Sequence, residues 1–386
     1  MKIAIFTNNY LPNPYGVTTS VESFRKEFEK DGHQVYIFAP NYLNYKDKNK
    51  NVFRYPALDI KYKIKFPVPI PYSNKLRRLI ANLDIDIIHS QHPNLLGSVA
   101  MRWAKKKKIP LVFTWHTIYD KYTHYTPLVP RKLANYWVIG NSVRYANRVN
   151  RIIIPTEGVH EIINNWGNTN TNVSVIATGV DEEIFKNPQE NKIRETLGIA
   201  KDKMVLLSIS RLTEEKNVVF LIREVVKVLK KNKQAVFILG GDGYLKDELI
   251  KIINQSGVGK QVFLLGLVER DQIKNYLNIA DIFVYASLSE TQGTIITEAM
   301  YGGLPIVALD GLGIRDLIKH RKTGILVRKS NTFARQINNL IANTELTQTL
   351  GQNAKQEAQK KYTSRVCAKK MLKIYQDLIA KNNLSK

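Results

Sequence analysis

Cysteine is all but missing from this 386-residue chain: the single Cys367 has no partner for an internal disulfide. That excludes a disulfide-stapled scaffold and any cysteine-based metal spacing, and it points to a reducing compartment. Long apolar runs are missing too. Nothing approaches the roughly 18 consecutive apolar residues needed to cross a bilayer. The apolar start at residues 2–6 turns polar at Thr7-Asn8-Asn9, which reads as a buried strand and not as a secretory signal. No repeat of roughly 20–50 residues is visible, which argues against a solenoid. No group of His, Cys, Asp and Glu has metal-ligand spacing, so neither a metal nor another cofactor is expected. Acidic residues are scarce beside basic ones: 33 Asp and Glu against 58 Lys and Arg leave a net charge of +25.

That charge is uneven. Residues 1–156 carry 25 Lys and Arg against 9 Asp and Glu, while residues 157–386 carry 33 against 24. A single-sign field concentrated in the first half suits an anionic partner such as lipid headgroups, phosphorylated substrates or nucleic acid. The plain alternative is a lysine- and asparagine-rich composition whose lysines are simply solvated.

What the chain does have is alternation. Its 44% apolar residues are grouped in short runs separated by segments of helical period, the pattern of parallel sheets covered by helices. The length suits two such domains of roughly 180 residues each. Strands are expected at residues 2–7, 34–39, 86–90, 111–115, 151–154 and 173–176, then at 204–210, 235–239, 262–265, 282–286, 305–309 and 324–327. A polar, proline-bearing stretch at 179–188 separates the halves. The expected domains are therefore 1–180 and 190–362, with a terminal helix over 363–386 rejoining the first. In that helix Val366, Met371, Ile374 and Leu378 fall near one face. Two doubly wound domains bind ligands at the C-terminal ends of their strands, so the informative residues should follow strands.

The strongest constellation is Glu290-Thr-Gln-Gly293-Thr-Ile-Ile-Thr-Glu298, between the strand 282–286 and a helix opening near Gly293. A glycine there lets backbone N–H groups approach an anion at a helix N-terminus. Gly293, Thr294 and Ile295 are the candidate donor contacts at that turn. Glu290 in the loop and Glu298 one and a half turns on bracket it with two carboxylates, suited to a ligand with polyol and phosphate parts. Arg211 and Lys216 flank the next strand-to-helix turn, where two cations can clamp a diphosphate and stabilise its charge as it departs. The plain alternative pairs them with Glu214 and Glu215. Gly240-Gly241-Asp242-Gly243 ends the strand 235–239. It lacks the third glycine of the dinucleotide fingerprint and reads as a tight turn beside a nucleotide, or as a structural turn only. In the first half, Gly16 follows the first strand at a helix start, and His116 follows the strand 111–115 in a loop that continues through Tyr119, Asp120, His124 and Tyr125.

Together these residues resemble retaining glycosyltransferase family 4, along nearly the whole chain. The most specific piece is the Glu290/Glu298 pair, which matches the family's E-x7-E motif. The resemblance implies the GT-B fold, two facing Rossmann-like domains with a cleft between them. It also implies that Glu290 holds sugar hydroxyls, Glu298 the ribose, and Arg211 and Lys216 the diphosphate. His116 would touch the transferred sugar, with Gly16 and Gly241 lining the donor site. Within the family, Ser289-Glu290-Thr291-Gln292-Gly293 and the loop from His116 to Tyr125 look like bacterial diacylglycerol glucosyltransferases. The expected donor is accordingly a nucleotide diphosphate sugar, UDP-glucose first, and the acceptor a membrane lipid such as diacylglycerol.

Membrane attachment has its own candidates. Lys61, Lys63 and Lys65 alternate with aromatic and apolar residues up to Phe66. Arg144, Arg148 and Arg151 are spaced four and three apart, as on one helix face, and Lys105 to Lys108 form a third basic run. The expectation is a cytoplasmic protein bound peripherally to the inner face of the membrane, with no obligate protein partner. Three other readings stand beside it. A family 4 enzyme with a soluble or polysaccharide acceptor would keep the donor site, and a nucleotide-sugar epimerase would share the architecture. A nucleic-acid-binding protein would explain the charge but leave Glu290 and Glu298 without a role.

Overall fold

The structure is a computed structural model that describes residues 1–13, 16–61, 65–118, 131–186 and 190–384. The chain forms two units, Met1–Gly179 joined by Ser364–Lys386, and Val180–Thr363.

The first unit is built on a seven-stranded sheet in the order β3-β2-β1-β6-β7-β8-β9. Its strands are β1 (Lys2–Phe6), β2 (Gln34–Pro40), β3 (Val52–Tyr55), β6 (Ile87–Ser90), β7 (Leu111–Thr114), β8 (Arg151–Ile154) and β9 (Val173–Val175). Between β3 and β6 a separate antiparallel pair, β4 (Ala57–Lys61) and β5 (Lys65–Pro69), aligns Ala57 with Pro69. All pairs of the main sheet are parallel. Strands covered on both faces have no polar side to show, which is why Ile3, Ala4, Ile5 and Phe6 are all buried in succession. Each such Ile or Phe contributes about 1.5–3 kcal/mol by leaving water. β1 lies between β2 and β6, so the order reverses there, and Asn8 and Gln91 follow the two strands at the switch point.

The terminal helix Ser364–Leu384 belongs to this unit. Of the stripe expected there, Met371 is buried while Val366, Ile374 and Leu378 are half-buried, and the buried face runs through Cys367, Ala368, Met371, Leu372 and Tyr375. Tyr375 decides that rotation: its hydroxyl reaches Nδ1 of His89 on β6 at 2.5 Å, and its ring packs edge-on to Phe28.

The second unit has a six-stranded sheet in the order β12-β11-β10-β13-β14-β15. The strands are β10 (Met204–Ile209), β11 (Ala235–Gly240), β12 (Val262–Gly266), β13 (Ile282–Tyr285), β14 (Ile306–Leu309) and β15 (Gly324–Val327). They too pair in parallel throughout. Two apolar layers cover the sheet. One packs Leu206, Phe237 and Val284 against the helix Val218–Lys231, and the other packs Leu207, Phe283 and Ile306 against the helix Thr294–Tyr301. The winding reverses between β11 and β13 around β10. Both units are thus Rossmann-like, doubly wound α/β domains.

Candidate functional site

In the second unit, the segments that follow β10, β11, β12 and β13 carry the candidate residues. After β10 the chain makes a short 3-10 turn, Glu214–Lys216, and leaves it through Asn217 in the left-handed region (φ 54°), a conformation asparagine tolerates. The Asn217 amide donates to the Ala286 carbonyl at 3.3 Å, tying this turn to the end of β13. Ser289 adds a second tie, its hydroxyl donating to the Glu215 carbonyl at 3.0 Å. Lys216 is thereby brought to Glu290: Nζ donates to Oε1 at 2.5 Å, with both side chains about one-tenth exposed. The Tyr285 hydroxyl donates to the same oxygen at 2.7 Å. Burial pushes the Glu290 carboxyl up, but the Lys216 charge and the hydrogen bonds from Lys216, Tyr285 and Ser287 outweigh it and hold the group below the usual carboxylate range. Arg211 pairs with Glu215 at 3.1 Å, as the plain reading of that motif had it, whereas Lys216 turns to Glu290.

Glu298 is the fifth residue of the helix Thr294–Tyr301 and is 2% exposed. It is no solvated helix-end charge. One oxygen pairs with Arg270, from the turn after β12, and the other, Oε2, is buried without a hydrogen-bond partner. Burial depresses the Arg270 guanidinium, and the Glu298 charge beside it more than restores it, so the pair is ionised on the arginine side. The sequence reading missed Arg270, which stands in no recognisable spacing to Glu298. Gly293 caps the helix with φ 78°, and an added Cβ would come to 3.3 Å from Cγ of Glu290. Thr294 and Ile295 form the first turn.

Gly241 has a structural job. With φ 138°, an added Cβ would lie 1.7 Å from the Ser210 carbonyl oxygen, so only glycine fits where the two loops touch. Gly243 is equally confined against Leu212, at 2.3 Å. An open depression of about 490 Å³ elsewhere in the unit, bordered by Phe185, Lys274, Tyr301 and Gln359, contains none of Arg211, Lys216, Glu290 or Glu298.

In the first unit, His116 follows β7 and its Nε2 donates to Oε1 of Gln91 at 2.7 Å. Burial, with His92 and His89 nearby, lowers its pKa to about 3, so the imidazole is neutral at physiological pH. His92 accepts the Asn8 backbone N–H on Nδ1 at 3.1 Å and is lowered by burial to about 4. Gln91, Asn8 and His92 were not singled out in the sequence. They stand at the C-terminal ends of β1 and β6, where the switch-point rule could have found them. Gly16 opens the helix Gly16–Lys30 with open space around its Cβ position.

Among the surface candidates, Lys63, Tyr119 and Tyr125 lie outside the described residues, and so do the side chains of Lys61, Lys65 and Phe66. Asp120 and His124 lie outside them as well. One expectation is corrected. The helix that carries Arg144 is Arg131–Ala146; Arg148 stands beyond its end and Arg151 begins β8, so the three do not share one helix face. Arg144 and Arg148 are exposed. In the basic run of the helix Leu96–Lys107, Lys107 donates to the Ala81 and Leu83 carbonyls and Lys106 lies over the Trp103 ring.

Residues 14–184 match the family model described as Glycosyltransferase Family 4, and residues 189–357 match that described as Glycosyl transferases group 1. The chain is similar to an alpha-monoglucosyldiacylglycerol synthase of Acholeplasma laidlawii, at 30% identity over 99% of this chain and 98% of that one. It is similar to the synthase of the same name from Streptococcus pneumoniae, at 29% identity over 100% and 88%. In fold it resembles the Anabaena HepE protein in complex with UDP, with a TM-score of 0.78 and 22% identity over 98% of this chain and 100% of that one.

Proposed function

Since this chain belongs to the glycosyltransferases, family 4 in its first domain and group 1 in its second, we propose that it moves glucose from UDP-glucose, with retention, onto a membrane lipid such as diacylglycerol. The observation that carries the donor half is the Glu298 carboxylate. A buried acceptor oxygen without a partner is costly, and two vicinal ribose hydroxyls are the donors that would satisfy it. On this reading the second unit holds the donor and the first the acceptor. HepE of the same fold is seen with UDP, which is compatible with that donor.

The remaining roles follow from charge. An ammonium carries three N–H donors and can serve a carboxylate and phosphate oxygens together, so Lys216 grips the diphosphate while holding Glu290. Glu290, ionised and beside that cation, accepts from sugar hydroxyls and not from phosphate, which would repel it. Arg211 adds the second cation. As the glycosyl–phosphate bond breaks, negative charge grows on the leaving diphosphate, and these two cations stabilise it. The bound carboxylates are engaged with hydroxyls and cations, so retention proceeds by front-face attack, with the departing phosphate taking the acceptor's proton. His116 is neutral and serves as a hydrogen-bonding group toward the sugar, not as a charge.

For the acceptor half, the two synthases named for diacylglycerol and the cationic first domain support a lipid at an anionic surface. The protein would sit peripherally on the cytoplasmic face; among the described residues no helix is long and apolar enough to cross a membrane. Titration calorimetry with UDP, GDP and their glucose conjugates tests the donor. Binding of UDP and UDP-glucose in preference to the guanosine compounds is expected, and the reverse order would replace the donor.

A further inference from the structure

Among the described residues of the helix Arg131–Ala146, the fully buried ones lie in its C-terminal part. Ser142, Val143, Tyr145 and Ala146 are buried. In the first half, Leu133 is 62% exposed, Tyr136 83% and Trp137 67%, and Val138 and Ile139 are half-buried. Positions 133, 136, 137, 140 and 144 fall on one face at helical spacing. That face therefore runs from a leucine and two large aromatics, past Gly140, to the exposed Arg144. Three large apolar side chains side by side in water forgo the main driving force of folding, so the face is built to be covered.

The charge around it says by what. From residue 121 to residue 156 the sequence has six Lys or Arg and neither Asp nor Glu. Leucine, tryptophan and tyrosine favour the boundary between headgroups and acyl chains, and arginine favours the phosphates just above it. An anionic bilayer offers both at the spacing of one helix face. We propose that the first half of this helix is the element that enters the headgroup–acyl boundary, with Arg144 and Arg148 on the phosphates. The inference rests on the reading of a lipid acceptor and names the surface that reaches it. The helix lies along the bilayer surface and does not cross it.

Trp137 reports on itself. Of the four tryptophans, Trp103 and Trp115 are buried and Trp166 is partly buried against the first-unit core. The test uses the full chain with vesicles of phosphatidylglycerol, of phosphatidylcholine, and of phosphatidylglycerol brominated on the acyl chain. Expected are a blue shift and quenching by the brominated lipid, absent with phosphatidylcholine and absent in Trp137→Phe. Leu133→Asp with Trp137→Asp should lower partition onto anionic vesicles by about tenfold or more, while UDP affinity stays at the wild-type value. Sedimentation with anionic vesicles without any Trp137 response would overturn the proposed surface and leave the lipid reading standing. A protein that ignores anionic vesicles at low salt would take down both. Self-association abolished by the Asp pair, with vesicles ignored, would make the face a dimer contact instead.

Discussion

Arg270 holds one carboxylate oxygen of Glu298 and leaves the other, Oε2, buried without a partner. A carboxylate fixed on one side and unmet on the other is oriented for a ligand that brings hydroxyl donors. Glu298→Ala should weaken UDP binding by about 1.5–3 kcal/mol, roughly ten- to a hundredfold. Calorimetry on the folded variant reads this directly, and unchanged affinity would remove Glu298 from the donor site.

Lys216 and Glu290 are a pair only about one-tenth exposed, so removing one partner strands the other. Lys216→Ala should lower stability by about 3–5 kcal/mol as well as turnover. Adding Glu290→Gln should recover much of the stability, because the stranded charge is gone, but not the turnover. Denaturant midpoints and initial rates of the single and double variants separate the two effects. The Glu290 carboxyl is held below its ordinary range, so the pair's contribution is complete above that range and fades as pH falls through the lowered value. Recovery of both stability and rate in the double variant would show that the pair is structural only.

His89 sets an acid limit on the first unit. It is 2% exposed, bonded to Tyr375 and Thr114, and lowered by burial to about 3. An unfolded histidine takes up a proton near 6.5, so between these values unfolding binds a proton and stability falls as pH drops. The slope from this one group is about 1.4 kcal/mol per pH unit. Thermal melts of the intact protein should change little from this cause above pH 6.5 and fall from there to pH 5, and His89→Gln should start lower but fall less steeply. An equally steep decline in the variant would place the acid sensitivity elsewhere.

The fold class was open to reading because parallel strands buried on both faces leave continuous apolar runs, as at residues 3–6 and 235–239. β3, β4 and β5 were not read as strands. From Ile60 to Ile70 apolar residues alternate with lysines and prolines at the period of a strand, but a proline has no N–H to give a ladder, and that masks the signal. Arg148 and Arg151 imitate helical spacing across a chain that leaves the helix at Ala146. In the candidate site, the spacing of Glu290 and Glu298 pointed to two carboxylates; the side chain of Glu290 is about one-tenth exposed and Glu298 is buried. Arg270 stayed hidden because it acts through a contact made only when separate strands align, whereas Gln91 stands at a strand end that the switch-point rule reaches.

The reaction proposed is transfer of glucose to a lipid with its configuration kept. Incubation with UDP-glucose and diacylglycerol in phosphatidylglycerol vesicles, followed by proton NMR of the extracted lipid, reads both parts at once. The expected product is a glucosylated diacylglycerol whose anomeric proton shows the small coupling of an α-linkage. A β-linked product would contradict the mechanism. Glucose appearing only on a water-soluble acceptor, with the lipid unmodified, would contradict the function.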